Sequence, residues 1–431
     1  MNKGYPMKKQ NKPLVKFVKK YSVKQQLITA SMGVICSLAF SASAIAGSLD
    51  QAKRIHDRLA GVPPTAETLL LMQADIDGAG GPMAAAARAM EHDAFYNVTI
   101  KNWAAPWTNE EFDVFVPLND YTATVVGLVR DSAEIDFREV LYGDHIYTAS
   151  GLMSAPESLP AYSSSDNAHY EALEAGNYSL KDNLVHQSQA AVTELPAEAT
   201  AGVVTTRAAG KSFFIDGTNR ANFRFTLVNH LCLDLEQVHD VTRVPDRIRQ
   251  DVSRSPGGDS RVFSNTCLGC HSGMDPLAQA FAYYDYEYDT ENDLTGENGR
   301  IVYNTEGMTD LDTGTRVTAK HHFNGATFPF GYIIPDDKWD NYWREGQNSN
   351  LGWDESLDGT GNGASSMLQE LAHSEAFASC QVKKVFEAVC LRKAQDSDDR
   401  EQLNTMLGNF TGDGFNIKNV FAESAVYCAG S

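Results

Sequence analysis

The feature that most constrains this chain is five residues long: Cys267-Leu268-Gly269-Cys270-His271, the C-x-x-C-H spacing of covalent c-type haem attachment. Each position in it has a chemical task. The two thiols add across the haem vinyl groups as thioethers, and two intervening residues let one helical turn span that separation. The adjacent histidine then lies beneath the iron and supplies the proximal imidazole. Three other readings compete. A dithiol redox pair would need a strand-led βαβ context, which the flanking sequence lacks. A structural zinc site would need a second ligand pair at finger-like spacing, and Cys380 and Cys390 are too distant and too widely spaced for that. A disulfide between Cys267 and Cys270 would be strained. One such motif predicts one haem c.

The N-terminal 46 residues carry the marks of an export signal. A lysine-rich stretch ends near Lys24, Leu27 to Phe40 is apolar, and Ala44 and Ala46 are placed for cleavage before Gly47. A membrane anchor is the alternative, but the apolar stretch falls short of the roughly 20 residues that span a bilayer. Cys36 follows Ile35 where a lipoprotein signal requires a small residue. The expectation is a periplasmic protein, with an extracellular or cell-surface location as the alternative, and without a membrane span in its mature chain.

Charge narrows the partners. The whole chain has 36 basic against 56 acidic residues, a net −20. Eight of the basic residues and none of the acidic ones lie before residue 47, so the remainder carries 28 against 56, or −28. A surface this acidic repels phosphate backbones, which excludes nucleic acid and favours redox partner proteins with a basic docking surface. At 42% hydrophobic and 21% charged, the composition is that of a globular protein and excludes collagen-like, coiled-coil and disordered chains.

Beyond Cys36 and the motif, four cysteines remain: Cys232, Cys380, Cys390 and Cys428. An even number in an oxidising compartment predicts two disulfides. Cys380 and Cys390 fall on one predicted helix, where ten residues keep them apart. Each must therefore pair with Cys232 or Cys428, and both arrangements stay open.

Periodicity predicts a mainly α protein: an N-terminal helical domain over residues 47–205 and a cytochrome domain over 206–431, with long irregular loops. Pro63-Pro64-Thr65 reads as a break and helix start. An aromatic stretch with Trp103, Trp107, Phe112 and Phe115 reads as core packing rather than a ligand platform. A helix over Asn219 to Leu235 carries Cys232, and residues 244–258 read as a linker. The motif helix starts near Thr266 and runs to Phe281, followed by Tyr283, Tyr284, Tyr286 and Tyr288, which could edge the haem or pack at the surface. Residues 289–363 read as irregular. Helices return at 364–377, 379–391, 398–410 and 417–427. Val382, Val385, Phe386 and Val389 form an i, i+3, i+4, i+7 stripe. Asp289 to Asp293 alternates oxygen ligands, but Leu294 stands where a calcium loop requires glycine.

Several stretches together resemble the large planctomycete-type cytochrome c proteins. Arg58 to Thr65 (RLAGVPPT) is similar to their opening segment, and Met90 to Trp107 to their next helix. Thr218 to Ala221 running into His230-Leu231-Cys232 resembles the segment before their haem motif. Cys267 to Phe281 (CLGCHSGMDPLAQAF) matches their C-x-x-C-H-x-x-M-D-P-x-x-x-x-F, and Cys380 to Arg392 resembles their C-terminal helix. The resemblance implies an exported electron-transfer module with a class I-like haem domain. The long insertion around Trp339 to Trp353 departs from that pattern.

The second axial position has several candidates. Met274 is three residues past His271 and packs on the proximal side. Met308, in a loop 37 residues downstream, is the leading distal candidate; His321, His322, Met367, His373 and an open iron are the others. Three functions follow: a mono-haem electron carrier, a haem enzyme with an open distal site for peroxide or another small oxidant, or a glycan- or partner-binding module built on Trp103 and Trp107 with the haem as relay. The expectation favours the carrier.

Overall fold

A computed structural model of the chain describes residues 47–149, 159–215, 218–243, 246–247, 260–322 and 332–430. The expected export signal and most of the predicted linker lie outside them. The protein is mainly helical. In the N-terminal half run α1 (Ser48–Ala60), α2 (Ala66–Asp77), α3 (Gly81–Ala89), α4 (Asp120–Arg130) and α5 (Ala168–Ala175). The break before α2 is chemical: Thr65 is extended, and its hydroxyl accepts the N–H of Thr68, an orphan donor of the first turn. Next come α6 (Arg207–Phe214), α7 (Asn219–Thr226) and the motif helix α8 (Leu268–Ala278). The chain ends in α9 (Ala364–Ala372), α10 (Glu375–Cys390), α11 (Ser397–Gly412) and α12 (Ile417–Ala429).

Among the described residues, strands occur only as three antiparallel pairs: β1 (Ile146–Thr148) with β2 (Val185–Gln187), β3 (Tyr284–Tyr288) with β4 (Gly299–Tyr303), and β5 (Lys338–Asp340) with β6 (Thr360–Asn362). The stretch expected to be irregular, residues 289–363, thus contains three short strands, β4, β5 and β6.

Residues Ser48–Gly430 pack as one compact unit. Long-range contacts tie its parts together. Asp120, buried at the start of α4, accepts the backbone N–H groups of Arg207 (2.7 Å) and Ala208 (3.0 Å) and caps α6. The first and last described helices meet as well. α12 lies against α1, α3 and α10, and the Arg58 guanidinium donates to the Val389 carbonyl at 2.9 Å. Every residue of α4 from Asp120 to Val129 is buried, which places this helix in the middle of the core.

Three expected helix bounds change. The helix through Cys232 ends at Leu231, after a wide π turn from Leu227, because Cys232 takes a left-handed φ of 56°. The motif helix passes into a tighter turn at Gln279. The break expected between Phe377 and Ser379 falls at Ser374, whose hydroxyl accepts the Phe377 N–H and caps α10.

Cys380 and Cys390 lie on α10 and do not bond each other. Cys232 pairs with Cys380, and Cys390 with Cys428. No helix among the described residues is long and apolar enough to cross a membrane.

One acid in the loop before α9 predicts an acid-side behaviour. The Asp354 carboxylate takes the Ser356 N–H at 2.9 Å and the His373 imidazole at 3.2 Å. The Ser356 hydrogen bonds first, and His373 after them, hold its pKa down to about 2. Its folded value lies below the ordinary unfolded value of about 3.9. Its contribution is therefore present above that value and is lost as pH falls through about 2. Asp354→Asn is expected to flatten that part of an acid-unfolding curve followed by circular dichroism.

Candidate haem-attachment site

Helix geometry sorts the motif residues onto two faces. At about 100° per residue, Cys267, Cys270, His271 and Met274 fall at i, i+3, i+4 and i+7, a single stripe. Gly269 and Gly273 fall on the opposite side. That back face is packed too closely for side chains. A Cβ on Gly269 would stand 2.3 Å from the His239 ring, and one on Gly273 would stand 1.9 Å from the Trp343 indole nitrogen. Trp343 belongs to the stretch Trp339 to Trp353, and here that stretch braces the motif helix.

The front face carries the reactive groups. Both motif thiols are free and partly exposed, whereas the other four cysteines are cross-linked. Burial, and after it the Glu236 carboxylate, pushes the Cys270 thiol up, and its sulfur lies 3.5 Å from the Leu235 carbonyl. A catalytic dithiol needs the opposite shift, toward thiolate. With no βαβ unit among the described residues, the thioredoxin-like alternative loses its physical basis. No group of three or more His, Cys, Asp or Glu residues among those described is arranged to hold a metal ion. The two thiols and His271 therefore do not converge on one point as a zinc site demands.

His271 is oriented by a buried ion pair. Its Nδ1 lies 3.0 Å from Oδ1 of Asp275, one turn further along α8. Asp275 is only 6% exposed and receives Nε and Nη2 of Arg220, from the first turn of α7, at 2.7 and 2.5 Å. Against the upward pull of burial, the Arg220 guanidinium and then His271 hold the Asp275 carboxyl well below the usual carboxylate range. The neighbouring Asn219 amide donates to the Ala278 carbonyl at 2.8 Å, tying α7 to the last turn of α8. With Nδ1 held in this way, the nitrogen that would meet an iron is Nε2. Two thiols and an imidazole on one stripe, with a glycine-packed back and a carboxylate behind the imidazole, fit covalent haem c. When bound, that group supplies one-electron chemistry.

The other sequence candidates are scattered. Met308 lies in an exposed turn, its side chain 51% exposed, and lines a groove beside β3 and β4 whose walls contain no residue of α8. His321 is fully buried, and its Nδ1 accepts the Asn219 N–H at 3.3 Å, which places it near the C-terminal end of α8. The His322 side chain lies outside the described residues. Met367 is core, and His373 bonds Asp354. Tyr284 and Tyr286 are buried in the β3–β4 hairpin. Trp103 and Trp107 stack edge-on in the core at 8% and 2% exposure, so Trp107 offers no face to a sugar. Phe115, 88% exposed, shows that the aromatic stretch is not all core.

Asp275 and Arg220 back His271 in a contact that motif spacing did not reveal. The His–Asp spacing of four was a usable signal, because it joins side chains on a helix. Nothing local marks Arg220, 55 residues upstream. The chain matches no protein-family model, no curated protein and no solved structure.

Proposed function

We propose that this chain is an exported, periplasmic mono-haem c-type cytochrome that passes single electrons between redox proteins. The observation that carries the reading is the stripe that begins at Cys267, the N-cap of α8: two uncrosslinked thiols one turn apart, followed by a histidine whose Nδ1 is already held by a buried carboxylate. In this reading Cys267 and Cys270 hold haem c, and His271 is the proximal ligand. The segment from about residue 206 forms a class I-like haem domain behind the helical N-terminal part. The acidic surface selects basic partners and repels nucleic acid.

The test is expression with export and haem-maturation factors. Wild-type protein is expected to keep a haem absorption spectrum after denaturation and acid–acetone extraction. The Cys267→Ser, Cys270→Ser double variant is expected to lose it entirely. Absence of covalent haem from the wild type would end this reading.

The exposed turn of Met308 favours a second reading, a haem enzyme whose distal position is open to a small oxidant. The ferric spin state separates the two. A low-spin signal with a methionine–iron charge-transfer band, lost in Met308→Ala, assigns Met308 and the carrier. A high-spin signal assigns the open site.

A further inference from the structure

We infer that Asp275, clamped by Arg220, is a positioning residue that makes His271 a strong electron donor to the iron, so that the haem works at low potential, taking electrons only from a strong reductant and giving them up readily. The inference rests on the haem reading above and concerns the groups behind the ligand.

When an imidazole gives Nε2 to a metal, its proton resides on Nδ1, and the acceptor of that proton sets how basic the ligand is. A backbone carbonyl is a neutral, weak acceptor. A carboxylate draws the proton further, raises electron density on Nε2 and favours the more positive, ferric state of the iron. Here the acceptor is a carboxylate that is almost completely buried, so solvent does little to screen it.

Arg220 does two things at once. Its two-pronged grip fixes both carboxylate oxygens, with Oδ1 shared between Arg220 Nε and His271 Nδ1. Its positive charge also tempers the push that Asp275 delivers. The grip is rigid because Thr218 caps α7 at the Arg220 N–H, and Asn219 ties that same turn to Ala278. Asp275 touches neither thiol in this arrangement and acts on the iron only through His271.

Reduction potentials of the haem-loaded full chain test this, with wild type, Asp275→Asn and Arg220→Lys compared by spectroelectrochemistry. Asparagine keeps an acceptor oxygen and removes the charge. At a fixed ambient potential Asp275→Asn is expected to raise the ferrous-to-ferric ratio at least tenfold, about 59 mV for a one-electron couple. Arg220→Lys keeps the cation but breaks the two-pronged grip, and is expected to move the ratio less than threefold. A shift below threefold in Asp275→Asn, or equal shifts in both variants, would mean that the pair only holds the helix, and overturns the inference. Should Asp275→Asn fail to take up haem, wild-type protein decides through the nitrogen-15 shift of His271 Nδ1 in the ferrous state. A value toward the imidazolate limit supports the inference, and the neutral-imidazole value overturns it. Failure of haem to attach to the wild type is a separate outcome: it removes the haem reading itself and the inference with it.

Discussion

Replacing Cys232 and Cys380 together with alanine is expected to destabilise the protein by about 3–5 kcal/mol, measured as a fall in the urea midpoint with a steeper slope, because the released unfolded chain exposes more surface. The bond joins residues 148 apart in sequence, the longer of the two cross-linked loops. In the chain-entropy account, a loop of that length restrains the unfolded chain by about 5 kcal/mol, against about 4 kcal/mol for a loop of 38 residues. The Cys390, Cys428 pair is therefore expected to cost less when removed in the same way. The reverse order would show that native packing, not chain entropy, sets the contribution of these bonds. The bond also bears on function. Cys232 ends the turn that leads to Leu235, whose carbonyl meets the Cys270 sulfur, and its loss is expected to slow haem attachment before it abolishes folding.

Adding a single methyl group at Gly273 is expected to have the next largest effect. An alanine Cβ there would stand 1.9 Å from Trp343 Nε1, and that indole cannot swing aside. Trp343 is 1% exposed, and its backbone is fixed on both sides: its main-chain N–H donates to the Asn341 side chain and its carbonyl accepts the Trp353 indole N–H. Overpacking of this kind costs about 3 kcal/mol. Alanine regains about 1 kcal/mol through its helix propensity, which leaves a net loss of about 2 kcal/mol. Gly408, in the exposed face of α11 with no atom near its missing Cβ, supplies the opposite sign. Gly408→Ala is expected to stabilise by about 1 kcal/mol in the same denaturation experiment. If both substitutions stabilised, Trp343 would not brace α8.

Those two glycines illustrate how far local reading reaches. Both sit in helices where propensity alone prefers alanine, and nothing in their neighbours in sequence distinguishes them. The tertiary contact of a stretch 70 residues downstream does. Trp339 to Trp353 has no periodicity to assign it, yet its Trp343 reaches the back of the motif helix, and Trp339 sits on β5 in the strand pair that precedes α9. Nor does local sequence show that a buried carboxylate at the start of α4 caps α6, more than 80 residues downstream.

What the chain's own order of residues determined is local. Apolar spacing of three and four makes helices because a helix turns every 3.6 residues, and Thr65 starts one because its side chain replaces a missing backbone partner. The cysteine spacing at 267 and 270 places two thiols one turn apart, and the ten-residue separation of Cys380 and Cys390 forbids their pairing for the same geometric reason. Tertiary structure alone decided which distant groups meet. It joined Cys232 to Cys380 rather than Cys428, set Arg220 behind Asp275, buried Trp107 and left Phe115 exposed. Those outcomes depend on how whole helices pack, a sum over many weak contacts between residues far apart in sequence, and no short window of sequence contains that sum.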